Sequence, residues 1–315
     1  MRRLGIEVAK IAISAGLLWF TFTKIDTSSA WVMLGSIPAG AIGAVIAILT
    51  FQLLVAALRL HYLLRLVGTP IRFISATDAV FVGSFFSQTF VSFIGGDAMR
   101  VWRLAIFKVS IADAVKAVLL DRVTGFAGLF VLIVLGLPML FAIVGDPVMR
   151  ASVLAAVSAG LLGTVALLLV HRMPERFKRW RVLRIAAEVS GLALGIFARP
   201  GDASSVLGLS IVIQASNAIA IFAIAKGLGV HAELPDLLVL IPPVLLLAIL
   251  PVSFAGWGIR EGAMAVALGL VGISAEQSVA MSICFGLSLV VVALPGGLIW
   301  LISDGKSGRH GVRGS

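Results

Sequence analysis

Gly95-Gly96-Asp97-Ala98-Met99-Arg100, and later Gly256-Trp257-Gly258-Ile259-Arg260-Glu261, are polar knots inside sequence otherwise fit for a bilayer. Charge at membrane depth is costly, so such groups face a cavity or one another and mark transport paths or binding sites. Here the knots come in duplicate, with Gly256 lying 161 positions after Gly95. The fold is read outward from that pair.

Of 315 residues, 60% are apolar and 13% charged, and the mean hydropathy is +1.12. That leaves too little polar surface to coat a soluble globule. The uncharged runs Thr27–Leu58, Val123–Val144, Ala151–Val170, Ala203–Ala225 and Gln277–Ser303 each reach the roughly 20 residues a spanning helix needs. Alternating β-barrel patterning is absent. The net charge of +10 is read as topology, not as a nucleic-acid footprint, because the basic residues gather at predicted loop ends, where they orient helices and meet anionic headgroups. The single cysteine, Cys284, rules out an intramolecular disulfide and reads as a small buried hydrophobe.

Arg2, Arg3 and Lys10 set the N-terminus in the cytoplasm, and the apolar residues from Ile11 to Lys24 read as a first spanning helix. A second, about Ala39–Leu66, returns to the basic stretch of Arg59, Arg65 and Arg72. His171–Arg184 carries Arg172, Arg176, Lys178, Arg179, Arg181 and Arg184 against the lone Glu175, the strongest inside signal in the chain. Phe177, Trp180 and Leu183 recur there at helical spacing, which predicts either an interfacial helix or a snorkelling loop. The tail, with Lys306, Arg309 and Arg313, also belongs inside.

Two apolar segments, Val80–Ile94 and Leu237–Phe254, then start and end on the same side as their neighbours require. Each is drawn as a re-entrant hairpin with a polar knot at its tip. The halves align weakly: Phe93-Ile94-Gly95 over Phe254-Ala255-Gly256, and Ile111, Ala117 and Leu120 over Ile273, Ala280 and Ile283. Copies that begin on opposite sides make an inverted repeat, an architecture that puts sites near the midplane, where broken helices meet. The expected fold is an all-α polytopic membrane protein with about six full spans plus two re-entrant hairpins. Its single transmembrane unit covers 1–304, with halves about 39–145 and 203–303, a basic interfacial segment at 171–198, and a flexible tail at 305–315.

Gly95 and Gly96 are expected to break their helix and expose amides to a ligand. Asp97 and Arg100, three apart, are placed to pair on one helical face, which Arg103 continues. In the second copy Gly256 and Gly258 flank Trp257, a packing or interfacial residue, and Arg260 and Glu261 supply a cation and an acid. Asp121-Arg122 reads equally as an internal salt bridge or as a ligand site. Phosphate is the natural partner of Arg100, Arg260 and Arg122, since a guanidinium binds it bidentately and stays charged in a low-dielectric cavity. Gln88, Gln214 and Asn217 are either cavity-lining or helix-bridging. Asp97 and Glu261 are expected to share one midplane cavity.

Enzyme chemistry finds little support: no Gly-x-Ser-x-Gly elbow, no His-Glu-x-x-His zinc pair and no Walker loop occurs, and His61, His171, His231 and His310 are scattered. No catalytic set, metal or cofactor is expected.

In Ile94–Arg100, in Ala117-Val118-Leu119-Leu120-Asp121-Arg122, in Gly256–Glu261 and in Leu294-Pro295-Gly296-Gly297, the chain resembles the lysylphosphatidylglycerol synthase membrane-domain family, over roughly Ile11 to Ile302. The resemblance implies movement of a lipid between leaflets, in the best-known members an aminoacylated phosphatidylglycerol made by a soluble C-terminal domain. This chain stops after its membrane part, so synthesis is not expected and the lipid stays open; stand-alone relatives are associated with hopanoid, glycolipid and polyprenyl-phosphate pathways. The expectation is an inner-membrane lipid translocase with both termini cytoplasmic, a lipid partner of anionic or zwitterionic headgroup, no nucleic-acid partner, and room for a homo-oligomer. The rival readings are a secondary transporter of a small soluble anion and an intramembrane lipid transferase.

Overall fold

A computed structural model describes residue 35 and residues 37–89, 93–174, 180–248 and 258–307. The expected first span, the middle of the basic stretch, the tail beyond 307, and Gly256 and Trp257 lie outside the described residues. What is described is helical, as a bilayer requires: with no water to satisfy the backbone, each segment satisfies its own.

The helices, in order, are α1 (Ala39–Leu66), α2 (Phe73–Thr89), α3 (Phe93–Ile106), α4 (Ile111–Ile143), α5 (Pro147–Leu169), α6 (Arg181–Phe197), α7 (Pro200–Gly227), α8 (Leu234–Ala248), α9 (Ile259–Gly269) and α10 (Ala275–Ser307). Among the described residues five stretches are long and apolar enough to cross a membrane: α1, α4, Pro147–Arg172, α7 and Ala275–Ser303. The shorter pairs fall where the hairpins were expected. At 1.5 Å per residue, α2 and α3 are only about 25 and 20 Å long, less than the hydrocarbon thickness of about 30 Å, and they pack closely on each other.

Long helix, short pair, long helix therefore occurs twice, and the backbone repeats in detail. Gly68 and Gly229, 161 positions apart, both have positive φ. The turns around them close with matching bonds: Thr69 N–H to Leu64 O, and Val230 N–H to Ala225 O. After the short pair, Lys108 and Gly272 also share a positive φ, and Ser110 and Ser274 each cap the following long helix, accepting from the N–H of Asp113 and Gln277 respectively. A side-chain acceptor at this position satisfies an otherwise orphaned amide. These landmarks correct the sequence alignment downstream of the knots: the caps put Ile111 over Ala275, not over Ile273, because the second copy carries extra residues between its short helices.

Counterpart helices α1 and α7 pack tightly and are tied by a polar ladder. Gln52 donates to Asn217 (2.8 Å), Arg59 to Ser210 (2.9 Å) and Tyr62 to Asp202 (2.6 Å). Position rises on one helix as it falls on the other, so the two run antiparallel. The main apolar core, including Leu49, Leu140, Ile221, Leu240, Met264 and Phe285, draws on both halves.

Two small residues fix close crossings. Gly296 of α10 lies where a Cβ would run into the carbonyl of Phe81 on α2, and Gly128 of α4 abuts Ser210 of α7. The basic segment is described only in part. Its described part begins with a single 3-10 turn at Val170–Arg172, and the helix starts only at Arg181. α6 buries Val189, Ala193 and Ile196 against Leu63, Leu120 and Val206.

Candidate functional site

The first knot does not break its helix. Gly95 and Gly96 stand inside α3, and Gly96 serves packing instead: a side chain there would strike Ser87 and the Gly83 carbonyl of α2. Glycine weakens a helix interior by roughly 1 kcal/mol, a penalty that the close α2–α3 approach offsets.

Asp97 and Arg100 do not pair with each other either. Both reach across to α4, where adjacent residues point about 100° apart on the helix and so serve different neighbours. Asp97 takes a two-pronged bond from Arg122 (2.9 and 2.8 Å), and Arg100 donates to one oxygen of Asp121 (3.1 Å). The other oxygen of Asp121 accepts from Arg59 of α1 (2.8 Å). One buried carboxylate, 4% exposed, thus holds two guanidinium groups from two helices. Burying a charge is tolerable only when it is paired in this way.

Between α1, α4 and α7 these groups face a cavity of about 270 Å³. Arg59, Arg100, Asp121 and Arg122 supply its charge; Gln52, Gln214 and Asn217 its neutral polar lining; Phe126 and Leu129 part of its apolar wall. Gln52 and Gln214 stand at the midpoints of α1 and α7, so the cavity reaches toward the membrane centre. Gly125 lines it as well, bare where a Cβ would press within 3.3 Å of the Arg59 guanidinium. Of the polar residues read from sequence, Gln214 and Asn217 line the cavity and Gln88 does not.

Formal charges in this group are three positive (Arg59, Arg100, Arg122) and two negative (Asp97, Asp121), an excess of one cation. The Nε of Arg100 is buried and has no hydrogen-bond partner among the described residues. Buried donors of this kind are rare and ask for an explanation. The Arg122–Asp97 pair is more open, with 32% and 25% of its side chains exposed.

Arg103 leaves this face altogether. Its guanidinium is clamped by Asp78 of α2 through two bonds of 2.6 Å and donates to Ser303 of α10, tying the hairpin to the last helix.

Arg260 and Glu261 stand in a second group, apart from this cavity among the described residues. Arg260 donates to Glu261 (2.9 Å) and Ser282 (3.0 Å), Ser282 donates to Glu261 (2.9 Å), and the N–H of Gly258 meets the second carboxylate oxygen. Gly258, at φ 88°, caps α9. Neither Arg260 nor Glu261 lines the cavity. Among the described residues, Asp97 and Glu261 do not line a common cavity, and the second knot pairs its charges locally.

Sequence reasoning missed two members. Arg59 was counted with the loop cations, although it stands two turns inside α1 and is 6% exposed. An arginine that far from the helix end, with no acid one turn away, was the available signal. Gln52 carried none beyond being polar in an apolar run.

A comparison with curated proteins finds no match. The chain does match the lysylphosphatidylglycerol synthase TM region over residues 8–296, which takes in the first copy of the helical motif, most of the second and the arginine cavity. By that match, this multi-pass membrane protein belongs to the lysylphosphatidylglycerol synthase TM-region family, whose function is lipid-related.

Proposed function

We propose that the protein is a lipid translocase that takes the anionic headgroup of a membrane lipid into the arginine cavity and passes it between leaflets without changing it chemically. The observation that carries this reading is the Arg59–Asp121–Arg100 arrangement, with its excess cation and the unpartnered Nε of Arg100. A phosphate entering beside Asp121 offers Arg100 the fork that the carboxylate fills on one side only, and charge-assisted bonds of that kind are the strong ones. Asp121 competes for the same donors and gives the headgroup a way out.

Support for two-sided access comes from the duplicated motif and the antiparallel run of α1 and α7, the pattern of an inverted repeat. In this reading the protein sits in the cytoplasmic membrane, with both termini on the cytoplasmic side.

The test is reconstitution in liposomes containing phosphatidylglycerol and phosphatidylcholine, with the outer-leaflet pool of each followed by an impermeant phospholipase. Phosphatidylglycerol should equilibrate faster than phosphatidylcholine, and recovered lipids should have unchanged masses. Arg100→Gln should slow the movement about 10- to 100-fold, the factor set by one lost bond to a charged group. Equal rates for Arg100→Gln and the parent, in protein that remains folded, would sink the proposal.

A further inference from the structure

Arg122 and Phe126 of α4 line two spaces at once. On one side lies the polar cavity; on the other a groove of about 460 Å³ runs between α4, α5 and α6. Apart from Arg122, every residue lining that groove is apolar, including Leu119 of α4, Leu167 of α5 and Val182 of α6. Leu119 and Leu167 are each 40% exposed and Val182 is 77% exposed, so the groove opens sideways at a surface that faces lipid.

A cationic pocket and an apolar trough that share one arginine match the two ends of an amphiphile. The volume also falls within the roughly 300–1,000 Å³ of small-molecule sites. A soluble anion has no use for the trough. Resting on the translocase reading, we infer that this groove holds an acyl chain of the lipid whose headgroup occupies the arginine cavity. Arg122 stands at the junction: fixed by Asp97, it lies where the glycerol and phosphate of such a lipid meet its chain. The α4–α5–α6 side is then the door through which the lipid enters from the bilayer.

The experiment uses the purified full chain in detergent and three probes: long-chain phosphatidylglycerol, its single-chain lyso form, and glycerol 3-phosphate. Parent protein should bind the two chain-bearing probes far more tightly than glycerol 3-phosphate. Leu119→Trp and Val182→Trp fill the groove from exposed positions without displacing buried side chains. Each should weaken long-chain binding about tenfold, the factor expected from a few lost methylene contacts, and leave glycerol 3-phosphate unchanged. Arg100→Gln should weaken all three probes. The groove assignment falls if both tryptophan variants, folded by thermal melting, bind the long-chain lipid like the parent. It falls as well if the parent binds all three probes equally. If Arg100→Gln changes nothing while the tryptophan variants still weaken the long-chain lipid, the chain site stands and the headgroup reading fails.

Discussion

Asp121 is the residue on which the cavity depends, because two guanidinium groups converge on its two oxygens. Asp121→Asn removes the charge and leaves both partners buried without a counter-ion. Breaking a buried pair costs about 3–5 kcal/mol, and denaturation in detergent should show a loss of that order, largely recovered in Asp121→Glu. The second knot behaves differently. Glu261→Gln should also destabilise, because it removes the buried carboxylate that accepts from Arg260, yet the folded fraction should move lipid at the parental rate per molecule, as measured in liposomes. A lipid-transfer defect in Glu261→Gln out of proportion to its loss of folded protein would return that residue to the site. From the sequence, Asp97, Arg100, Asp121 and Arg122 were legible as members of a charged site, since ionisable residues stand out against an apolar chain. Their pairing was not: whether Asp97 meets Arg100 or Arg122 depends on how α3 is rotated against α4, and no local spacing records a rotation between helices.

At the scale of elements, the long helices announced themselves by length and hydropathy, and α1 was legible to the residue. The short pairs were legible by exclusion, since topology left them no full crossing to make. Glycine was read less well, because one letter covers two physical roles. At Gly68 and Gly229 it permits a positive φ, whereas at Gly96 and Gly296 it permits contact between helices. Gly296→Ala should therefore cost about 1–3 kcal/mol by overpacking against the Phe81 backbone. Gly208→Ala lies inside α7 with open space around it, and should stabilise by about 0.5–1 kcal/mol. Melting temperatures of the two purified variants should move in opposite directions from the parent; a rise in both would mean that the α2–α10 crossing is not tight, and a fall in both that Gly208 does not face open space.

For the whole molecule, the repeat predicts that equivalent loops face opposite sides of the membrane. Arg72 and Glu233, 161 positions apart and both exposed, make the check direct. In a Cys284→Ser background, Arg72→Cys should react with an impermeant maleimide only from the cytoplasmic side and Glu233→Cys only from the other; labelling of both from one side would leave a repeat that is not inverted. The surplus cation of the arginine cavity reaches further, into membrane voltage. A monoanionic headgroup cancels that surplus, so the loaded site is electrically neutral, while the empty site carries one positive charge. In any cycle that turns this site from one leaflet to the other, the loaded step ignores the potential. The empty return is pulled toward the negative side with about 2.3 kcal/mol per 100 mV for a charge that crosses the full field. Phosphatidylglycerol movement in liposomes held at a potassium diffusion potential should respond to its sign; in Arg100→Gln, whose empty site is neutral and whose loaded site carries one negative charge, the voltage-sensitive step should shift from the empty return to the loaded crossing. On the translocase reading, the arginine proposed to hold the headgroup would then let a resting membrane reset the protein after each lipid, with no fuel bound to it.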